Sequence, residues 1–254
     1  MGDYWRVIDT VVRKADIILL VIDARMPEMT RNTKLEEIIT SRGRKLIYVF
    51  NKIDLVKPSD LKKIRENHPE AFFVSGVNNI GLSKLKEGLF IAAKKIGIQL
   101  PHIGVVGYPN VGKSAIINAL AHRAKTQVSS IAGTTKGVQW VKVGKLRIID
   151  SPGVIPYEEK AEEKMGIIGA KNPEQLKNPD LAAINIIKMF MQKNKKSLEE
   201  FYAIKIQKEI ENDEEQILEL IGKSRGFLKK GGITDMNRTV ISLLRDWYHG
   251  RLKL

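Results

Sequence analysis

A chain of 254 residues has room for one large domain or two modest ones, each with its own core. Its 43% apolar and 28% charged residues suit a globular protein, and the absence of cysteine excludes disulfides and thiolate metal sites and suits a reducing, cytoplasmic setting. The formal charge of +14 points to a polyanionic partner, a lysine-rich solvated face being the alternative, while no apolar run is long enough to span a bilayer and Met1–Arg6 carries no signal core.

From the N-terminus, apolar residues at Trp5, Ile8, Val11 and Val12 have helical spacing, so Trp5–Lys14 is expected to be a helix. The near-continuous apolar run Ala15–Ala24 is that of a strand buried on both faces. A helix over Asn32–Arg42, closed by Gly43, leads to a second buried strand, Lys45–Phe50. Ser59–Asn67 reads as a short helix with Pro58 suited to its first turn, Ala71–Val74 as a strand, Leu82–Lys95 as a helix and Gly97–Pro101 as a linker. His102–Val106 is a short β-branched strand and Ala115–His122 a helix. Gln127–Gly137 has no periodicity and reads as a mobile loop, followed by an antiparallel hairpin of Val138–Val143 and Leu146–Ile149 around Gly144-Lys145. This alternation predicts an α/β, doubly wound, mostly parallel sheet over residues 1–157. Beyond it only helices are expected, over Leu181–Met191, Leu198–Ile206, Glu214–Ile221 and Asn237–Tyr248, which sets a C-terminal all-helical domain at 158–254.

One stretch organises the rest. Gly107-Tyr108-Pro109-Asn110-Val111-Gly112-Lys113-Ser114 matches G-x-x-x-x-G-K-[ST] and lies between an expected strand and an expected helix. Such a P-loop cradles phosphates with backbone N–H groups of Asn110, Val111 and Gly112, reinforced by the positive end of the following helix. Lys113 would reach the β- and γ-phosphates and the Ser114 hydroxyl would hold Mg²⁺.

Asn51-Lys52-Ile53-Asp54 ends a buried strand, where α/β sheets bind ligands, and resembles the NKxD element of GTPases. There the aspartate accepts two guanine N–H groups, Lys52 would lie along the base plane, and Asn51 would connect this segment to the phosphate loop. Adenine offers Asp54 no such donor pair and would leave a charge unpaired, at a cost of several kcal/mol. Ser75-Gly76-Val77 takes the place of the serine loop that meets the guanine oxygen, although it departs from the usual SAK. Asp150-Ser151-Pro152-Gly153 resembles the DxxG switch, with Asp150 on Mg²⁺ and the Gly153 N–H on the γ-phosphate. In Gly133-Thr134-Thr135-Lys136, Thr135 is the favoured second Mg²⁺ ligand. Lys113, Thr135 and Gly153 are thus the catalytic candidates.

The order of these elements is unusual, because NKID and the serine loop precede the phosphate loop instead of following DxxG. All five are present once, merely rotated, as in a circularly permuted GTPase, and permutation is tolerated where exposed termini meet. Gly97–Pro101 would be the new connection. The chain also passes from DSPG straight into the helical domain, so movement of that switch with the γ-phosphate would be passed on. Together with GYPNVGKS, GTTK…QWVKVG, and the tail Arg225-Gly226-Phe227-Leu228…Gly231-Gly232…Asp235…Arg238…Leu244…Asp246-Trp247…Gly250, this order resembles the YlqF/RbgA-like ribosome-assembly GTPases over nearly the whole chain.

The resemblance implies hydrolysis of GTP coupled to maturation of the large ribosomal subunit, with the helical domain touching rRNA; Mg²⁺ as cofactor, ribosomal proteins as further partners and a cytoplasmic monomer are expected beside it. A GTP-dependent adaptor for another structured RNA or a protein is the alternative. The charge suits an RNA partner: Ile221–Leu254 carries 8 basic against 2 acidic residues, and residues before Ile155 carry 25 against 13. Lys229, Lys230, Arg238 and Arg245 are the RNA candidates. Trp247 is read as core, with base stacking as the alternative. Val154 stands where many GTPases have a water-orienting glutamine, a replacement the family shares. Asn110 resembles the asparagine that coordinates K⁺ in potassium-stimulated GTPases, so K⁺ stimulation is expected, with a turn-stabilising Asn110 as the competing reading. The FPGHM-like segment of some bacterial members is not in this sequence, and no role of its histidine is carried over.

Overall fold

The computed structural model describes residues 3–123, 139–150 and 162–254, and the chain divides into two compact units, Met1–Glu159 and Lys160–Leu254. In the first unit the elements run α1 (Asp3–Lys14), β1 (Ile17–Asp23), α2 (Pro27–Thr30), α3 (Thr33–Ser41), β2 (Lys45–Asn51), α4 (Pro58–Asn67), β3 (Phe72–Phe73), α5 (Leu82–Lys95), β4 (His102–Val106), α6 (Lys113–Arg123), β5 (Gln139–Val143) and β6 (Leu146–Asp150). A single turn of 3-10 helix, Ile53–Leu55, joins β2 to α4.

The six strands form one sheet in the order β3-β2-β1-β4-β6-β5, parallel except for the antiparallel hairpin of β5 and β6. Every residue of β1 is buried, which explains its unbroken apolar run. Ile18, Leu20 and Ile22 face a cluster with Ile8, Val11 and Val12 of α1 and Leu35 and Ile39 of α3. Strand alternation turns Ile17, Leu19 and Val21 to the other face, where they are also fully buried. Each such side chain contributes about 1.5–3 kcal/mol.

Local signals set the helix starts. Asn32 accepts a hydrogen bond from Leu35 N at 3.0 Å at the head of α3, and Pro58 opens α4 where its missing N–H costs nothing. The expected strand at Ala71–Val74 shrinks to the two residues of β3, at the sheet edge.

The second unit contains α7 (Glu162–Ile167), α8 (Pro179–Lys193), α9 (Lys195–Tyr202), α10 (Glu214–Ser224) and α11 (Met236–Tyr248), with short 3-10 turns at Pro173–Gln175 and Lys208–Ile210. Its core holds Ile186, Ile187, Phe190, Leu198, Ile217, Ile221, Leu243, Leu244 and Trp247. The helix expected over Leu198–Ile206 ends earlier, at Tyr202. Ala203 adopts the left-handed conformation (φ 51°), and the N–H groups of Ala203 and Ile204 return to the carbonyls of Glu200 and Glu199 at 3.4 and 3.0 Å. That pairing closes the last turn, and buried Ile206 follows outside the helix. Among the described residues, no helix is long and apolar enough to cross a membrane.

Candidate functional site

The strand order reverses between β1 and β4, the topological switch point at which open α/β sheets bind ligands. The phosphate loop follows β4 at that point. Asp23 ends β1 and lies across from Asn51, the last residue of β2, while Asp150 ends β6 across from Val105. The carboxyl ends of four parallel strands therefore meet at one edge, three of them (β2, β4 and β6) carrying sequence-predicted elements, with Ser75 just past the fifth, β3.

The loop geometry demands glycine twice. Gly107 has φ 146°, and a Cβ there would lie 2.5 Å from Val21 O. Gly112 has φ 94°, and a Cβ there would fall on Asn51 Nδ2. Asn51 uses that space. Its Nδ2 donates to Val111 O at 2.8 Å, and its Oδ1 accepts from Gly76 N at 3.0 Å. One side chain, 2% exposed, thus bridges the phosphate loop and the serine loop, both of which follow it in sequence. Asn110 adopts φ 58°, the left-handed region that asparagine tolerates better than most residues, which gives its turn-stabilising reading a physical basis. Val111 is buried, Ser114 is the second residue of α6, and Lys113 Nζ donates to Gly107 O (3.1 Å) and Tyr108 O (2.7 Å). Its ammonium is folded back over the loop onto these carbonyls.

Asp54 is half-buried in the 3-10 turn after β2, and Asn78 Nδ2 donates to its Oδ2 at 2.9 Å. Ser75 is buried, its Oγ accepts from Asn78 N at 3.1 Å, and its backbone pairs with Ile80 in both directions at 3.1 Å. Gly76 packs on the start of α6: a Cβ there would lie 2.9 Å from Ile116 N. Lys52 is left-handed (φ 64°), and its Nζ reaches Asp23 Oδ2 at 2.9 Å.

That last pair belongs to a network the sequence reading missed. Arg25 forks onto Asp23, with Nε to Oδ1 at 3.1 Å and Nη2 to Oδ2 at 2.8 Å, and both side chains are 1% exposed. Thr30 Oγ1 accepts from Asp23 N at 3.0 Å. Burial pushes the Asp23 carboxyl up, but Arg25 and Lys52 outweigh it and hold it well below the usual carboxylate range. Burial pushes Lys52 down, only partly offset by Asp23. The available signal was two opposite charges, Asp23 and Arg25, closing a buried strand.

Thr135 and Gly153, with Gly133–Lys136 and Ser151–Val154, lie outside the described residues, and of Asp150 only the backbone is described. In the second unit, Arg238 and Arg245 line one cavity of about 430 Å³ with Phe227, Arg251, Glu174 and Asp246. The Arg238 guanidinium lies 4.3 Å from the Phe227 ring centroid, and Arg245 pairs with Glu174. Lys229 and Lys230 are exposed in the turn between Leu228 and Thr234, which form an antiparallel bridge. Trp247 is fully buried, with Nε1 donating to Ile167 O at 2.8 Å and its ring edge-to-face with Phe190, so it is core and not a stacking platform.

Comparison with known proteins agrees with this geometry. The family model described as RsgA GTPase matches residues 4–159, and one described as 50S ribosome-binding GTPase matches residues 102–225. An uncharacterized GTP-binding protein of Methanocaldococcus jannaschii is 39% identical over 97% of this chain and 65% of its own length. The nuclear GTP-binding protein NUG1 of Saccharomyces cerevisiae is 30% identical over 98% of this chain and 55% of its own. The chain thus spans less than two thirds of these relatives, and the cytoplasmic expectation finds no counterpart in the nuclear name of the second. GNP-bound YlqF of T. maritima superposes with a TM-score of 0.62 at 21% identity, covering 98% of this chain and 95% of that one, and the GDP-bound form gives 0.63, covering 96% and 94%. With the RsgA model spanning more than half its length and the YlqF fold throughout, this chain belongs to the RsgA GTPase family as a YlqF-like, circularly permuted member.

Proposed function

We propose that the chain binds GTP at the edge formed by β1, β2, β4 and β6, hydrolyses it, and uses the cycle in assembly of the large ribosomal subunit, with its helical unit contacting rRNA. The observation that carries the nucleotide reading is the Asn51 bridge. It joins the phosphate loop to the serine loop, three residues before the carboxylate of Asp54. Guanine would be read by Asp54, along Lys52, with Ser75 and Gly76 at the oxygen edge. Asn110, Val111 and Gly112 would line the phosphates through their backbone, and Lys113 would exchange its two carbonyl partners for phosphate oxygens.

Mg²⁺ suits the oxygen donors Ser114, Thr135 and Asp150, since it prefers hydroxyl, carboxylate and water ligands. When bound it would offset phosphate charge, and Gly153 N–H would meet the γ-phosphate. K⁺ at Asn110 is the proposed source of further positive charge.

The RNA reading is supported by the basic C-terminal segment and by Lys229, Lys230, Arg238 and Arg245 on it. One relative is named nuclear GTP-binding protein, and one matching family model is described as 50S ribosome-binding GTPase. The test is GTP turnover with isolated large subunits against unrelated structured RNA of equal length. Stimulation by large subunits alone supports the proposal. Tight guanine-nucleotide binding with equal or no stimulation by both would favour the adaptor role instead.

A further inference from the structure

Reading guanine with a carboxylate needs more than the carboxylate. The base offers two parallel N–H donors, so both oxygens of Asp54 must be held in one plane facing it. Asp54 is half-exposed, and a half-exposed aspartate is otherwise free to rotate about its terminal torsion. Asn78 supplies the restraint, with Nδ2 on Asp54 Oδ2 at 2.9 Å across 24 residues of chain.

Asn78 is itself held in place. Its backbone N–H donates to Ser75 Oγ at 3.1 Å, and Ser75, 1% exposed, pairs with Ile80 through two backbone bonds of 3.1 Å. Asn79 turns the chain with φ 57°, completing a closed loop whose exposed side chain at position 78 reaches back to the carboxylate. The motif spacing in the sequence requires none of this. An ionised carboxylate has about four lone-pair sites, so one amide on Oδ2 leaves room for both base donors.

We propose that Asn78 is a specificity-determining residue for the base: its side-chain amide fixes the Asp54 carboxylate in the orientation that receives the two guanine N–H groups. The proposal rests on Asp54 being the guanine reader, as above. A bond to a charged group of this kind sets how well the second base donor is met, and thus how far guanine is preferred over hypoxanthine, which lacks the 2-amino group. Lys52 attracts Asp54 coulombically, but its ammonium is bonded to Asp23, as is the Arg25 guanidinium, so the amide of Asn78 is the directional contact.

The experiment is displacement of a fluorescent GDP by GDP and by IDP on the full chain, for the wild type and for Asn78→Ala, Asn78→Asp and Asp54→Ala. Because Asn78 is an exposed loop residue, its variants fold, and thermal melting checks this. Asn78→Ala is expected to weaken GDP about tenfold, the size of one hydrogen bond to a charged group, and IDP by clearly less, so that the GDP/IDP ratio narrows. Asn78→Asp sets a second carboxylate against Asp54 and is expected to weaken GDP by about 100-fold, again narrowing the ratio. Equal losses for GDP and IDP, or wild-type GDP binding in Asn78→Asp, would overturn the role of Asn78. If Asp54→Ala abolishes the GDP/IDP preference while both Asn78 variants keep it, only this inference falls. If Asp54→Ala leaves the preference intact, the guanine assignment itself falls and this inference with it.

Discussion

Replacing Asn51 by alanine removes one side chain and orphans two buried groups, Val111 O and Gly76 N. Each buried group left without a partner costs about 1–3 kcal/mol, so Asn51→Ala should destabilise the first unit by about 2–6 kcal/mol. Gly112→Ala should cost a similar amount through the same side chain. Its Cβ displaces Asn51 Nδ2, and its φ of 94° adds about 1–3 kcal/mol of backbone strain. Since both substitutions break one bridge, the double variant should lose less than the sum, leaving a coupling of about 2 kcal/mol. The assay is urea unfolding, following the transition that moves when GDP is added and thereby reports the nucleotide-binding unit. Additive losses, or an Asn51→Ala protein as stable as the wild type, would refute the bridge as the connection between the two loops.

Asp23→Asn should cost about 3–5 kcal/mol, because Arg25 and Lys52 lose their buried counter-charge. The folded carboxyl titrates below its usual value of 3.8, so its contribution is complete above that value and is lost as pH falls through the lower, folded one. The stability gap between wild type and variant should therefore stay constant from about pH 8 to 5 and narrow only in stronger acid; a gap that closes above pH 5 contradicts the assignment. Trp247→Ala should destabilise the second unit by about 3–5 kcal/mol, measured by near-ultraviolet circular dichroism in urea, and Trp247→Phe by less. GTP turnover should be faster in K⁺ than in Na⁺ buffer, and equal rates would remove Asn110 as a cation ligand.

Much of the architecture was readable because physics writes it locally. The apolar run of β1 reflects burial on both faces, whereas in β2 Leu46 and Tyr48 stay only half-buried, and the glycine spacing at 107 and 112 reflects backbone that passes too close to Val21 and Asn51 for any side chain. What escaped was set by tertiary register. Asp23, Arg25 and Lys52 form one network only because β1 and β2 pair with Asp23 across from Asn51. Asn78 meets Asp54 only because the serine loop closes through the Ser75–Ile80 bridge. The end of α9 at Ala203 was invisible for a different reason. A left-handed stop normally advertises itself with glycine, and here an alanine is held in that conformation by two carbonyl partners. Trp247 sits beside arginines in sequence, yet helix α11 turns its ring into the core.

Under the proposed function, guanine is selected by Asp54, a carboxylate encoded ahead of the loop that grips its phosphates. The decisive measurement is competition of GDP and ADP for the wild type and for Asp54→Ala. ADP should fail to displace GDP from the wild type, and the Asp54→Ala protein should bind GDP far more weakly and no longer discriminate the two. Equal competition by ADP in the wild type, or discrimination that survives loss of the Asp54 carboxylate, would contradict it.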